Sequence, residues 1–314
     1  MKNFIIKIAA FLLLLLVLAF GLDIVITKGL QKYFEYDTEA MNDLRNPNIN
    51  PEFVILGSCQ AVCSYSPEVI DSALHTDSYI FGAYNLTLPA HLALWEEYKI
   101  YHTQLPSYVL MTVDYSDFHY APLKTSIMEK QFIPLVYDES IRRYMMCEGG
   151  GYSWYDIYTP LYRYFGYHQT IKNGIMGFLG LRFGKRERYK GHEKMPIGYE
   201  FHRADVPEDN YIVVEQELVN RLSAWIAELQ ESGVKPILVT APLGYELAEI
   251  IKNAEDAYHV YDSLANKYNI PYLRFQDHPI CRDTAMFNTP AHLNYMGAEE
   301  FTKLLTDSLT ELQY

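Results

Sequence analysis

Phe53-Val54-Ile55-Leu56-Gly57-Ser58-Cys59-Gln60 runs four large apolar residues into a glycine and then two small residues that carry a hydroxyl and a thiol. A run so short, apolar at every position rather than at alternate ones, reads as a strand buried on both faces, and Gly57 ends it in a tight turn. The pattern recurs downstream. Residues 107–113 (SYVLMTV) form a second such run with Asp114 at its end, 236–240 (PILVT) a third and 271–275 a fourth, while another short apolar stretch precedes Tyr84-Asn85. Helical spacing separates them: 89–101 carries Leu92, Leu94, Trp95, Tyr98 and Tyr101, and 211–230 places Ile212, Val213, Leu218, Val219, Leu222, Trp225, Ile226 and Leu229 on one face behind Pro207-Glu208-Asp209-Asn210 as a cap. Residues 256–268 and 297–312 read as two further helices. Short buried strands alternating with helices predict an α/β fold of three layers, α/β/α, around a parallel sheet.

Upstream of this pattern, residues 4–26 are apolar except for Lys7 and Asp23 near the two ends. As a helix they are roughly 34 Å long, enough to cross a hydrocarbon core of about 30 Å. Met1, Lys2 and Lys7 precede the run, which by the positive-inside tendency keeps the N-terminus cytoplasmic and sends the remainder across. We expect 1–28 to be a transmembrane anchor, the alternative being a cleaved signal segment ending near Ala19-Phe20-Gly21. Either way the following domain is expected on the extracytoplasmic side. Residues 29–51, closing on Asn46-Pro47-Asn48-Ile49-Asn50-Pro51, read as a linker, and 52–314 as the α/β domain.

The 314 residues are 49% apolar and 21% charged, which suits a folded domain and excludes disorder. A net charge of −13, with −11 of it after residue 204, argues against a nucleic-acid partner. The four cysteines, Cys59, Cys63, Cys147 and Cys281, allow two disulfides in three pairings and have no metal-site spacing; neither a metal nor a cofactor is expected. Residues 117–205 interrupt the α/β rhythm and read as a cap-like insertion. They hold Gly149-Gly150-Gly151, a basic stretch (Arg182, Lys185, Arg186, Arg188, Lys190, Lys194) and the aromatics Trp154, Tyr155, Tyr158, Tyr162, Tyr164, Phe165 and Tyr167. These aromatics are expected to fill the insertion's own small core; stacking on sugar rings or lying at a bilayer surface are the alternatives.

In an open parallel sheet, reactive groups collect beyond the carboxyl ends of strands, so the turn at Ser58-Cys59 is a candidate site and a thiol at such a turn is expected to have a lowered pKa. Near the other end of the chain, Thr289-Pro290-Ala291-His292-Leu293-Asn294 puts a histidine in a loop before the last helix, where it can serve as base to a nucleophile on the first strand. Three blocks, "VILGSCQA", "YNLTLPAH" and "AHLNYMGAEEF", together with the anchor, resemble the SGNH (GDSL-like) hydrolases, in the membrane-anchored bacterial branch of the D-alanine transfer and alginate acetylation proteins. The resemblance implies an SGNH, flavodoxin-like α/β/α domain acting on ester-linked acyl groups, most plausibly O-acetyl groups of an envelope or exported polysaccharide, beside a membrane acyltransferase.

Carried over by position, the resemblance puts the nucleophile on Cys59, the base on His292 and the oxyanion donors on the Cys59 amide and Asn85. Ser58 is the neighbouring nucleophile if the register shifts by one. Two positions depart from the family: Cys59 stands where it has serine, and Thr289 where it usually has aspartate. Asp283 is the preferred replacement acid for orienting His292, with Asn288 and Asp277 as alternatives. Both departures suit a Cys-His dyad working without an acid. They also suit the alternative function, a catalytically inactive SGNH-like domain that binds glycan or scaffolds an envelope complex. His91 and His102, on or beside a helix, are expected to be structural. Tyr115, Asp117 and His119 follow a strand end and are expected to line the cleft.

Overall fold

A computed structural model describes residues 1–33, 38–119, 131–148, 150–181, 188–201, 211–248 and 250–313. Its helices in chain order are α1 (Lys2–Leu30), α2 (Glu39–Leu44), α3 (Cys59–Ser64), α4 (Pro67–Leu74), α5 (Leu88–Tyr101), α6 (Glu139–Cys147), α7 (Trp154–Tyr158), α8 (His168–Phe178), α9 (Gln216–Glu231), α10 (Tyr245–Ala248), α11 (Ala254–Tyr268) and α12 (Tyr295–Glu311). The strands are β1 (Phe53–Gly57), β2 (Ser78–Gly82), β3 (Tyr108–Thr112), β4 (Lys235–Thr240), β5 (Tyr272–Arg274), β6 (Phe287–Thr289) and β7 (His292–Leu293). They fall into two compact units: Met1–Asp43 with Pro122–Glu187, and Leu44–Ala121 with Arg188–Tyr314. Gly149, Arg182, Lys185, Arg186 and the expected cap 207–210 lie outside the described residues.

The larger unit holds a five-stranded, all-parallel sheet in the order β2-β1-β3-β4-β5, the doubly wound arrangement expected from the sequence. β1 is buried along its whole length, with Ile55 opposite Ile80 on one side and Leu110 on the other. Phe301, Leu305 and Leu309 of α12 join Ala61 of α3, Tyr65 and Ile70 of α4 over one face of the sheet. The other face is covered by α5, α9 and α11, with Trp95 and Trp225 packed edge to face 6.3 Å apart. Gly57 permits the close turn out of β1: a Cβ there would sit 2.6 Å from Ala61 Cβ and 2.8 Å from Thr112 Cβ. The edge strand β2 is covered in part by the 188–201 segment, whose Lys190 carbonyl accepts the Ile80 N–H at 3.0 Å.

Three elements differ from the sequence expectation. Residues 29–51, expected as a linker, hold the short helix α2, buried along its length with Met41 and Leu44 1% exposed. The helix expected from 211 begins only at Gln216, because the side chain of Asn253 takes both backbone groups of Ile212, accepting its N–H at 2.8 Å and donating to its carbonyl at 3.0 Å. β2 was legible only as an unassigned apolar stretch. Its first residue, Ser78, is polar and buried, and both its N–H (2.7 Å) and its hydroxyl (2.6 Å) donate to Asp71.

In the smaller unit, α1 is apolar and exposed over its first two thirds and long enough to cross a membrane. Its last two turns are buried, with Ile26 and Leu30 against Ile133 and Tyr164. Gly29 of α1 faces Gly174 of α8 so closely that a Cβ on Gly29 would lie 1.7 Å from the Gly174 carbonyl oxygen. The expected self-filling aromatic core is only partly realised. Tyr164 is buried, but Trp154, Tyr155, Tyr158, Tyr162 and Phe165 are exposed.

Candidate active site

The strand order reverses between β1 and β3, and a doubly wound sheet opens a crevice at the carboxyl ends of the strands at such a point. Ser58 and Cys59 lead out of β1 there, Tyr84 and Asn85 follow β2, and Asp114 and Tyr115 follow β3. Cys59 opens α3 after the extended residue Ser58 and is half-buried. The backbone N–H groups of Asn85 and Gln60 and the Ser58 side chain favour the charged form of its sulfur. Asn85 is exposed and sits in the left-handed region, φ 53°, which asparagine tolerates better than most residues; it turns its amide toward the thiol. Thus the Asn85 donor seen at the sulfur is a main-chain one.

Burial pushes the Cys59 thiol up from its ordinary pKa, and the nearby Asp114 carboxylate adds to that; the three hydrogen bonds oppose the shift without reversing it. The expectation of a lowered thiol pKa is therefore overturned. Desolvation outweighs the favourable amides, and the thiol holds its proton at neutral pH. All four cysteines are free, so the expected possibility of disulfides is not realised. Cys63, one helical turn after Cys59, is buried with its thiol pushed up to about 12 and lies 3.4 Å from the Tyr84 hydroxyl.

β7, which carries His292, packs against α3, which opens with Cys59. The antiparallel pair β6 and β7 brings Thr289 opposite His292, and Thr289 Oγ1 lies 2.9 Å from His292 Nδ1. Asn294 fixes the other side of the loop. Its side-chain oxygen caps α12 by accepting the N–H groups of Met296 and Gly297, both at 3.0 Å, while Nδ2 donates to the Ala285 carbonyl at 2.7 Å and that of Phe287 at 3.2 Å. Tyr84 stacks at an angle on the imidazole, ring centres 5.9 Å apart. Burial lowers the His292 pKa, so the ring is neutral. In the tautomer that donates from Nδ1 to Thr289, Nε2 carries a lone pair, and that buried nitrogen has no hydrogen-bond partner.

The residue three positions before the histidine thus orients it, although it is a threonine. Asp283 does not: it is exposed, and its carboxylate caps a short turn by accepting the Ala285 N–H at 3.1 Å. Asn288 donates to the Pro196 carbonyl at 3.1 Å. Of the residues after β3, Tyr115 lines a cleft of about 200 Å³ with Leu243, Tyr258, Arg274, Gln276 and Asp277, whereas His119 is exposed. Asp117 is buried, accepting the Asp114 N–H at 2.8 Å and the Tyr261 hydroxyl at 3.0 Å. Of the two histidines expected to be structural, His91 has no hydrogen-bond partner at either ring nitrogen among the described residues. His91 is buried in α5 with its pKa held down to about 3, and His102 stacks on Tyr98 and bonds the Leu44 carbonyl at 2.8 Å.

Three residues were not given roles from the sequence. Asp114 is the charge that Cys59 senses, and its position at the end of a central strand was the available signal. Asn294 was legible as an N-cap before the last helix. Tyr84, a lone aromatic before Asn85, gave no signal.

No protein-family model matches the chain, and no curated protein matches it. Among solved structures, one of a putative acylhydrolase from Bacteroides fragilis NCTC 9343 is similar over 88% of this chain and 98% of its own, with 9% sequence identity and a TM-score of 0.42. The parallel register and the strand order define the α/β/α class without that likeness.

Proposed function

We propose that this chain is a membrane-anchored, extracytoplasmic esterase or acyltransferase of SGNH type. It acts through Cys59 and His292 on ester-linked acyl groups, O-acetyl groups of an envelope or exported polysaccharide in particular. What supports this reading is that β7, which carries a neutral His292, packs against α3, which opens on Cys59 at the switch point of the sheet, with the Asn85 and Gln60 backbone amides favouring the thiolate. That histidine has one nitrogen held by Thr289 and the other unpartnered.

In the reaction, His292 Nε2 takes the Cys59 proton as sulfur attacks the acyl carbonyl carbon. The Cys59 amide and the Asn85 donors hold the resulting oxyanion. Collapse breaks the carbon–oxygen ester bond, His292 returns the proton to the departing alkoxide, and a thioester remains on Cys59. Water, or a hydroxyl of a second glycan, then attacks the thioester with His292 again as base, which gives hydrolysis or transfer. A membrane acyltransferase that loads or receives the acyl group is the partner this chemistry calls for. Assay of the full chain in vesicles with p-nitrophenyl acetate tests the reading: Cys59→Ala should abolish turnover, and an equal rate in that variant would remove Cys59 from the chemistry.

A second reading, a catalytically silent domain that binds glycan, draws on the protonated thiol and the missing hydrogen bond from His292 Nε2. It predicts retained glycan binding with no turnover by either chain.

A further inference from the structure

The smaller unit carries its own evidence about what surrounds it. The twenty residues from Phe4 through Asp23 span about 30 Å as a helix, the thickness of a hydrocarbon core, so Asp23, the first acidic side chain along α1, stands one core thickness from the start of its apolar run. Asp23 is fully buried, and what buries it is the 131–165 region. Tyr137 donates its hydroxyl to Asp23 Oδ1 at 2.6 Å, the Leu161 N–H donates to Oδ2 at 2.8 Å, and the Arg163 guanidinium pairs with Oδ1. Arg163 also donates to the Ile157 carbonyl of α7 at 3.1 Å, so α7 and the turn after it are tied to α1 at the level of Asp23.

Around those ties stand the exposed aromatics. Phe165 is 89% exposed, Trp154 67%, and Tyr158 and Tyr162 50% each. Trp154, Tyr155 and Tyr162 form a continuous edge-to-face chain, with ring centres 6.1 and 6.0 Å apart. A water-facing surface gains nothing from concentrating five large aromatics on one short segment, whereas the boundary between hydrocarbon and headgroups favours Trp and Tyr, whose bodies are apolar and whose tips are polar. The exposed Phe178, Leu179 and Leu181 follow the part of α8 that packs at Gly29, about 9 Å further along α1, and lie outside this level.

Resting on the reading of α1 as a membrane anchor, we infer that residues 154–165 form an aromatic collar seated in the headgroup layer of the bilayer that α1 crosses, with the Asp23–Arg163 pair marking the hydrocarbon boundary. The anchor and the collar then fix the unit to the membrane at two places, so that it does not swing on a single helix.

The three tryptophans make the test direct, since Trp95 and Trp225 are buried in the α/β unit and only Trp154 is exposed. The full chain and its Trp154→Phe variant are reconstituted in phosphatidylcholine vesicles, flotation is checked, and tryptophan emission is recorded with nitroxide lipids labelled near the headgroup or mid-chain. The difference between the two chains isolates Trp154. The collar predicts that this emission falls by about twofold or more with the shallow label, less with the deep one, and is shielded from iodide. A chain that floats with the vesicles while Trp154 ignores both lipid labels and is quenched by iodide overturns the collar and leaves the anchor standing; the aromatics would then be a solvent-facing stacking surface. A chain that does not float overturns both.

Discussion

The Asp23 cluster and the Cys59 rim are both polar groups enclosed by protein, and they are finished differently. Around Asp23, Tyr137, Leu161 and Arg163 occupy both carboxylate oxygens, and Thr27 Oγ1 meets the Tyr164 hydroxyl at 2.6 Å. Around Cys59, burial leaves a protonated thiol, and His292 Nε2 has nothing to bond. A carboxylate with both oxygens engaged holds one arrangement of chain in place even though Arg163 Nε beside it is itself unpartnered among the described residues, whereas a histidine nitrogen facing a reactive thiol's helix is where a further molecule can supply a partner. The first is therefore read as a fastening and the second as a working site.

The largest effect that would break this contrast is expected at the fastening. Arg163→Leu strands Asp23 without its cation, a change worth about 3–5 kcal/mol for a buried pair. Protease cleavage within 131–181 should rise steeply while Cys59 chemistry in the other unit is retained; unchanged resistance would mean that the pair does not hold the unit together. At the site, His292→Ala should lower acyl turnover by about 10²–10⁴-fold with the thermal midpoint little altered, and a loss of both together would reassign His292 to structure.

A group whose charged form is disfavoured by burial stays neutral until the pH passes its shifted value, so iodoacetamide should alkylate Cys59 at least about tenfold more slowly than the exposed Cys147 at pH 7.5, with the rate climbing above pH 9. Peptide mass mapping reads both sites, and fast labelling of Cys59 at neutral pH would show a thiolate that the geometry does not provide. Thr289→Val removes the hydroxyl at Nδ1. It should cost about fivefold in turnover, the worth of one hydrogen bond of roughly 1 kcal/mol, without moving the substrate KM.

The smallest effect concerns Asp114 and Asp117. Burial raises both carboxyls, and Asp114 raises Asp117 further. Their folded-state pKa values exceed the unfolded ones, so their contribution to stability is full below the ordinary carboxylate range and is lost as pH rises through the folded values. Asp117→Asn keeps an acceptor for the Asp114 N–H, and it should raise the thermal midpoint at pH 7 by about 2 °C while flattening its decline between pH 4 and 7. Calorimetry that finds a lower midpoint at neutral pH would place a stabilising charge at Asp117.

The α/β layering was legible because β1, β3 and β4 are unbroken apolar runs, and such runs have few structural solutions. Cys59 and His292 were legible as types at strand and loop ends, while the packing of β7 on α3, the elements that carry them, was not. The thiol's pKa was misread because the local turn suggests stabilising amides, and only the fold reveals that burial and Asp114 outweigh them. Asp283 was chosen for its charge; Thr289, one residue type away from the family pattern, holds the imidazole by virtue of the β6–β7 register. In the smaller unit, the aromatic composition suggested a filled core, and burial separated Tyr164 from its exposed neighbours.

The central claim, that sulfur at Cys59 takes the acyl group, is tested by acid-quenching the full chain during turnover of p-nitrophenyl acetate and mapping the adduct by mass spectrometry. An acetyl group is expected on Cys59 that neutral hydroxylamine removes as a thioester and that is absent from Cys59→Ala. Acetyl found on Ser58 as a hydroxylamine-resistant ester, or turnover with no adduct at Cys59, would contradict it.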